Sequence, residues 1–509
     1  MIATNQLVAS NNACRANLKR TSAVEKVIEV DPQLCPEPCN KLPPPAARIQ
    51  EARQTHLRLG RSTLWARVDR PVDPARHAPQ TDAAAEKRRT LVQRVVVIGQ
   101  GYVGLPVAVR ATEVDYDVVG FELDQRKVDG LNAGRSHVED ITDERLGAAI
   151  ATGRYRASAD PADLAGFDIA VISVPTPMAE GLPDLTYIES ASSTLAPHIR
   201  AGATVILEST TYPGTTEELS LPLLEAGSGL TGGVDFHLGY SPERIDPGNQ
   251  RYRLENTPKV VSGMNAESLA HVQGFFDRLV ETTVPVSGTR EAELTKLLEN
   301  TFRHVNIALV NELAMFAKDL DINVWEAIDA ASTKPFGYMR FTPGPGVGGH
   351  CLPIDPSYLS WQIERRLGQT FRFVELANDV NSHMPDYVVR RVQFLLNEAE
   401  RSVKGSKVLV FGLAYKADTG DARETPSVPI CELLTGLGAN VSVVDPHVED
   451  RQFPDGVSRA EGTPQQIAEA DIVLFLVDHS NFDTAAIVGN ARLVLDCRHR
   501  LEGPNVEHL

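Results

Sequence analysis

Cys351 lies in the run Phe-Thr-Pro-Gly-Pro-Gly-Val-Gly-Gly-His-Cys-Leu-Pro-Ile-Asp-Pro, residues 341–356, with a carboxylate, Asp355, four residues beyond it. Glycines crowd this thiol, as expected of a nucleophile rather than a core cysteine. A thiolate adds to an aldehyde and turns it into a second hydride donor, so a dehydrogenase equipped this way can carry an alcohol through to an acid. A site for the hydride acceptor is written upstream. Residues 94–104 read Arg-Val-Val-Val-Ile-Gly-Gln-Gly-Tyr-Val-Gly, an apolar run feeding a GxGxxG turn. Gly99, Gly101 and Gly104 supply the tight turn, the close approach of backbone to a pyrophosphate and the helix–sheet contact. Tyr102 and Val103 lead into a helix whose N-terminus favours phosphates. Glu122, about 20 residues on, follows the next apolar run and fits the acid that grips the adenosine ribose, which selects NAD over NADP. A glycine turn of purely structural use is the competing reading; strand, helix spacing and acid together argue for the cofactor.

Lys296 and Asn300 stand four apart in a stretch with helical periodicity, so both side chains fall on one helical face. An amine and an amide there can orient one hydroxyl and its developing oxyanion. The alternative is a solvated surface stripe.

The elements that must position these groups follow from the apolar pattern. From about residue 92 short apolar runs alternate with helix-length segments, which predicts a parallel sheet covered on both faces. Runs at 95–98, 118–121, 169–174, 205–207 and 236–240 read as strands of a doubly wound NAD domain, residues 91–288. Leu294, Leu297, Leu298, Phe302, Val305 and Leu309 recur at helical spacing and predict a long amphipathic helix over 290–330. That helix opens a central segment, 289–400, able to pair with a second subunit. Runs at 407–411, 441–444, 471–477 and 493–495 give a second, smaller α/β unit, 401–509, whose first turn is Gly-Leu-Ala-Tyr-Lys instead of GxGxxG. Lys416, Arg423 and Asp445-Pro-His447 are candidates to meet a second nucleotide there, with surface ion pairing as the bland alternative. The expected fold class is α/β, two Rossmann-like doubly wound domains joined by a long-helix segment.

Composition restricts the function classes. The 509 residues are 42% hydrophobic and 23% charged, enough for two or three ordinary cores. A net charge of -17 argues against general nucleic-acid binding, though an anionic substrate needs a few local cations. Apolar runs such as 471–477 are far short of the roughly 20 residues that span a bilayer. The six cysteines, Cys14, Cys35, Cys39, Cys351, Cys431 and Cys497, form no regular framework, which suggests a reducing compartment and hence the cytoplasm. Cys35 and Cys39 lack a second ligand pair, so no metal is expected. Residues 1–90 mix Pro-Pro-Pro with Arg-rich stretches and read as a disordered tail without an apolar signal region. No Met stands between Met1 and Met178, so a start at a non-Met codon near Leu91 would leave much of that tail unmade.

Seven motifs occur in order: Gly-Gln-Gly-Tyr-Val-Gly-Leu-Pro (99–106), Val-Pro-Thr-Pro (174–177), Glu-Ser-Thr-Thr-Tyr-Pro-Gly-Thr-Thr (208–216), Ser-Pro-Glu-Arg (241–244), Lys-Leu-Leu-Glu-Asn (296–300), Gly-Gly-His-Cys (348–351) and Gly-Leu-Ala-Tyr-Lys (412–416). Over about residues 92–500 the chain resembles the UDP-glucose/GDP-mannose dehydrogenase family. The resemblance implies NAD as cofactor, a UDP-sugar substrate bound by the C-terminal domain and a homodimer or higher homo-oligomer; from the net charge and the short apolar runs, no nucleic-acid or membrane partner is expected. It further implies Cys351 as nucleophile, Lys296 and Asn300 as stabilisers of alkoxide and oxyanion, Asp355 and Thr210 as holders of the hydrolytic water, and Glu243 as acid–base group for thioester hydrolysis. Thr176 and Arg423 would touch NAD, and Lys296, Asn300, Gly348 and Lys416 the substrate. Departures narrow the branch. The UDP-glucose branch carries an arginine sixteen residues before its cysteine, where this chain has Pro335. His350, the Pro-Gly-Pro-Gly at 343–346 and Met-Pro-Asp-Tyr-Val-Val at 384–389 resemble the UDP-N-acetylhexosamine branch. The expected substrate is UDP-N-acetylglucosamine, then UDP-N-acetylmannosamine, then UDP-glucose, and the expected product a uronic acid donor for a surface polysaccharide. Two readings of another class stand beside it: a two-electron hydroxyacid dehydrogenase, which would lack Cys351 and the third domain, and a catalytically silent NAD-binding protein, which would show erosion at the nucleophile or lysine.

Overall fold

Valine-rich runs buried on both faces build the centre of a parallel sheet, because β-branched side chains pack well on a pleated surface that helices cover from both sides. The computed structural model describes residues 92–179, 182–246, 249, 251–349, 352 and 354–509. They belong to one unit, Ala85–Leu509. The expected disordered tail lies outside the described residues, as do His350 and Cys351.

The first sheet contains β1 (Arg94–Ile98), β2 (Asp117–Phe121), β3 (Tyr155–Ser158) and β4 (Ile169–Ile172). A small separate hairpin, β5 (Met178–Ala179) and β6 (Leu182–Pro183), precedes β7 (Thr204–Leu207), β8 (His237–Tyr240), β9 (Lys259–Gly263) and β10 (Thr283–Pro285) of the same large sheet. The strand order is β10-β9-β8-β7-β4-β1-β2-β3. All pairings in it are parallel except β8 with β9. The order reverses between β1 and β4, so the crevice for a ligand opens beyond the carboxyl ends of those two strands. The second sheet, β11 (Lys407–Phe411), β12 (Asn440–Val444), β13 (Ser458–Arg459), β14 (Ile472–Phe475), β15 (Val494–Asp496) and β16 (Val506–His508), has the order β13-β12-β11-β14-β15-β16 and is parallel throughout. Two doubly wound α/β layers are therefore present. Strands β3, β9 and β10 were not legible as apolar runs: β3 and β10 form the two edges of the sheet, and β9, Lys-Val-Val-Ser-Gly, holds only two large apolar residues.

The amphipathic stretch departs from one helix over 290–330. A helix of 31 residues, Thr289–Asp319, ends at Leu320, and a second, Val324–Ser332, starts after Asp321 takes a left-handed φ of 56°. Asn323 caps the second helix by accepting from the Trp325 and Glu326 N–H groups at 3.1 and 3.2 Å. Such a cap offers the backbone an alternative to continuing the first helix. The long helix buries Glu293, Lys296, Leu297 and Asn300 and exposes Leu294, Leu298, Phe302 and Leu309.

Candidate active site

The glycine turn after β1 is shaped by sterics. Gly99 has φ +91°, and a Cβ on Gly104 would come within 1.9 Å of the Gly99 carbonyl oxygen. A Cβ on Gly101 would meet nothing within 4 Å, so this is the point where a ligand can approach the backbone. Val103 precedes the helix Gly104–Glu113 without a side-chain cap; Leu105 N donates to Gly101 O at 3.1 Å and Pro106 carries no N–H, so the Gly104 N–H is the one left at the helix start for a phosphate oxygen. Glu122, just past β2, accepts from Gln100 N and Asp124 N at 3.2 Å each and so sits against the turn. Tyr102 is 38% exposed. Arg423, paired with Asp421 at 2.6 Å, lies close enough for its charge to act on the Tyr102 phenol. Thr176 is buried beyond β4, its carbonyl accepting from Tyr358 OH at 2.6 Å. These residues fit NAD: open glycine backbone, uncapped helix start and a carboxylate at ribose distance along the chain.

The second group of residues gathers around the long helix. Lys296 is 9% exposed and Asn300 4%, so they form no solvated stripe. Asn300 Nδ2 donates to Asp355 Oδ2 at 2.6 Å. Asp355 opens the helix Asp355–Leu367, and burial pushes its carboxyl up to about 6 against the opposing charge of Lys296 and the Asn300 hydrogen bond. One turn before Lys296, Glu293 accepts from Thr216 N at 2.9 Å, from Thr216 Oγ1 at 2.7 Å and from Gly214 N. Burial pushes Glu293 up to about 7 despite those donors. Thr210 is half-buried in the segment after β7, beside Ser209, whose hydroxyl donates to Val174 O at 2.8 Å.

Glu243 is paired with Lys259 at 2.8 Å, and Lys259 also pairs with Glu208. The side chains of Glu208 and Lys259 are 0% and 2% exposed. Lys259 and Glu293 lie in no motif. Glu208 opens the Glu-Ser-Thr-Thr-Tyr-Pro-Gly-Thr-Thr motif without a role of its own, and a carboxylate opening a strand-end Ser-Thr segment was the one available hint.

The glycine run ahead of Cys351 threads beneath the C-terminal domain. A Cβ on Gly348 would lie 2.9 Å from the Glu424 carbonyl oxygen and from Tyr415 Cβ, and one on Gly349, with φ +88°, 2.7 Å from the Tyr415 ring. Glycine is required there because two backbones and an aromatic ring meet. Lys416, in the same Gly-Leu-Ala-Tyr-Lys turn, reaches Asp246 at 2.6 Å, three residues past Glu243. Cys431 and Cys497 are buried, and burial raises both thiols, Cys431 to about 12, so neither is a nucleophile at neutral pH.

Asp445 cannot meet a second nucleotide as the sequence suggested. Its carboxylate is 1% exposed and accepts from Leu413 N, Ala414 N, His447 N, Val448 N and His479 Nε2 at 2.7–3.1 Å. Burial raises its proton affinity, but these donors, His479 foremost, hold it far below the usual carboxylate range. Asp445 organises the loop, leaving Lys416 and His447 nearer the surface. Two His–carboxylate groups among the described residues, His237 with Glu267 and His271, and Asp418 with His447 and His479, bring ligand-type atoms within 4.8 Å of one another. His479 Nδ1 accepts from Asp418 N at 2.9 Å while Nε2 donates to Asp445, so both nitrogens are used. The His237 and His271 rings stack at 3.7 Å and 14°, so their in-plane lone pairs run alongside each other.

Comparison with known proteins decides the relationship. Residues 93–280 match the NAD binding domain of the UDP-glucose/GDP-mannose dehydrogenase family, 290–383 its central domain and 409–503 its UDP binding domain. The chain belongs to this family. UDP-N-acetyl-D-mannosamine dehydrogenase of Pyrococcus horikoshii is 33% identical over 419 residues, 81% of this chain and 97% of that protein. NDP-N-acetyl-D-galactosaminuronic acid dehydrogenase of Ralstonia solanacearum is 36% identical over 418 residues, covering 79% and 95%. The solved UDP-D-ManNAc dehydrogenase from Pyrococcus horikoshii superposes with a TM-score of 0.75 at 32% identity, covering 82% of this chain and 99% of its own. As a member of the UDP-glucose/GDP-mannose dehydrogenase family the protein is an NAD-dependent nucleotide-sugar dehydrogenase. No helix among the described residues is long and apolar enough to cross a membrane.

Buried carboxyls of this family member give a pH signature. Glu293 and Asp355 hold protons more tightly folded than unfolded, so their stabilisation is complete at about pH 4 and lost as pH rises through about 6 to 7. The apparent melting temperature should fall between about pH 5 and about pH 8, and the fall should shrink in Glu293→Gln. Scanning calorimetry at those pH values checks it; a flat profile would show the two carboxyls ionised at neutral pH.

Proposed function

We propose that this enzyme oxidises the C6 hydroxyl of a UDP-N-acetylhexosamine to the carboxylate, transferring four electrons to NAD through adducts on Cys351. The observation that carries this reading is the buried set of Lys296, Asn300 and Asp355, joined by the 2.6 Å bond from Asn300 to Asp355, four residues beyond the cysteine. NAD supplies a hydride acceptor. Lys296 and Asn300 hold the substrate hydroxyl and stabilise the negative oxygen left when its proton passes to water, and loss of a hydride from C6 to NAD then gives the aldehyde. The aldehyde carbon bonds to the Cys351 thiolate, and the thiohemiacetal gives up the second hydride to leave a thioester. Water held by Asp355 and Thr210 then hydrolyses it, with Glu243 as the acid–base group.

Assignment of Gly99, Gly101, Tyr102, Val103, Gly104, Glu122, Thr176 and Arg423 to NAD, and of Gly348 and Lys416 to the UDP-sugar, belongs to the same proposal. So does the division into an NAD domain (91–288), a central segment (289–400) and a UDP-sugar domain (401–509). The exposed stripe Leu298, Phe302 and Leu309 suits a second copy of the chain, since so many large apolar side chains on one helix favour burial against a partner. The free buried thiols Cys431 and Cys497 favour a reducing, cytoplasmic setting. The relatives' names move UDP-N-acetylmannosamine ahead of UDP-N-acetylglucosamine, which the sequence had put first.

An endpoint assay with excess NAD and, separately, UDP-N-acetylmannosamine, UDP-N-acetylglucosamine and UDP-glucose should give two NADH per sugar consumed with the N-acetylated donors. One NADH per sugar would remove the thioester step, and preference for UDP-glucose would remove the N-acetylhexosamine reading.

A further inference from the structure

Lys259 opens β9, and because β9 runs antiparallel to β8 its first residue lies at the end of the sheet where β7 and β8 finish. Its ammonium is therefore enclosed by two carboxylates that follow those strands: Glu243 Oε2 at 2.8 Å and Glu208 Oε1. The Phe276 ring, 5.2 Å from Nζ to its centroid, closes another side. Both oxygens of Glu243 are already engaged, Oε1 with the Arg244 and Ile245 N–H groups at 2.6 Å and Oε2 with Lys259. A carboxylate held so firmly in its ionised form is a poor acceptor for a proton from water. Glu208 differs: its Oε2 is buried with no hydrogen bond among the described residues, and the Glu243 carboxylate stands near enough to repel it.

We propose that Glu208 is a positioning residue that sets the basicity of Glu243 through the ammonium of Lys259. With Glu208 ionised, one cation is shared between two carboxylates and Glu243 keeps enough proton affinity to deprotonate the attacking water. With Glu208 protonated, Lys259 belongs to Glu243 alone and holds it ionised. The inference rests on the hydrolytic role given to Glu243 above. In that step the water oxygen bonds to the thioester carbonyl carbon, the water proton passes to Glu243, the carbon–sulfur bond breaks and the proton moves on to the departing Cys351 sulfur, yielding carboxylic acid and thiol. The groups within electrostatic reach of the pair are Lys259 on both, Lys296 on Glu243, and the buried Tyr240 phenol, which also feels Glu293 and Asp355. Burial raises Glu208 to about 7, so the change of state falls near neutral pH.

The test compares wild type and Glu208→Gln by steady-state kcat between about pH 6 and about pH 9 and by the rapid-mixing NADH burst. Wild-type kcat should rise with pH through about 7, while the burst, which precedes hydrolysis, stays constant. Glu208→Gln should keep the burst and the sugar KM, lose the pH limb and lose on the order of ten-fold in kcat at about pH 8. A variant that keeps the wild-type limb, or that loses burst and kcat together as a merely structural defect would cause, overturns the proposal. Should the variant not fold, wild type carries the test, since a kcat independent of pH across that range also overturns it. Fewer than two NADH per sugar from wild type would instead sink the hydrolytic reading itself.

Discussion

Replacing Lys259 with Met is expected to destabilise the protein by about 3–5 kcal/mol, the usual cost of removing one member of a buried ion pair. Methionine keeps the volume and length of the lysine stem, so the loss reports charge and not a cavity. Glu208 and Glu243 would face each other inside the sheet end with no cation between them. Glu208 can escape by protonating, since burial already raises it to about 7, whereas Glu243, held by two backbone N–H groups, stays ionised. The loss should therefore be larger at about pH 8 than at about pH 5.5, because at the lower pH Glu208 carries a proton and one repulsion is gone. Lys259→Met combined with Glu208→Gln should recover part of the stability. Urea midpoints of the single and double variants at both pH values measure this; a change below about 1 kcal/mol would show the ammonium to be solvated and surface-like.

Replacing Cys351 with Ala should abolish carboxylate formation, by at least about a thousand-fold, as loss of a nucleophile does when the remaining site still binds and orients. NAD affinity should be unchanged, because the glycine turn, Glu122 and the uncapped helix start lie on the first sheet, far along the chain from residue 351. About one NADH per sugar is expected without the thiohemiacetal, since an unhydrated aldehyde has no alkoxide to expel the second hydride. Product analysis by mass spectrometry, alongside NAD titration by fluorescence quenching, separates the two effects. Equal acid yield from variant and wild type would remove the covalent route.

Much of the first sheet and of the cofactor turn was legible because their determinants are local. Val95 to Ile98 followed by Gly99 states strand, then a positive φ, and the observed strand and its +91° glycine follow from residue types that few other conformations accommodate. Lys296 and Asn300 were legible as a pair for the same reason: a four-residue spacing on a helix fixes a shared face whatever else the chain does. The break at Asp321 was less legible, since the apolar period continues into Val324 and Trp325 while a left-handed residue and an Asn cap interrupt the backbone. Asp445 was misjudged because Asp-Pro-His reads as a polar loop, and nothing nearby in sequence announces that the N–H groups of Leu413 and Ala414 arrive from another strand end.

By itself the sequence determined the α/β class, the order of motifs, the family resemblance, the glycine positions and the spacing of Lys296, Asn300, Cys351 and Asp355. Only the tertiary structure decided which carboxyls are held protonated near neutrality and which are held ionised. Glu208 and Lys259 are 51 residues apart, and Glu293 meets Gly214 across 79. A carboxylate's proton affinity is set by the water removed from it and by the charges and N–H groups brought against it. In this protein both come from segments distant in sequence, so a chain of residue types records the groups that can titrate but not the surroundings that decide when they do.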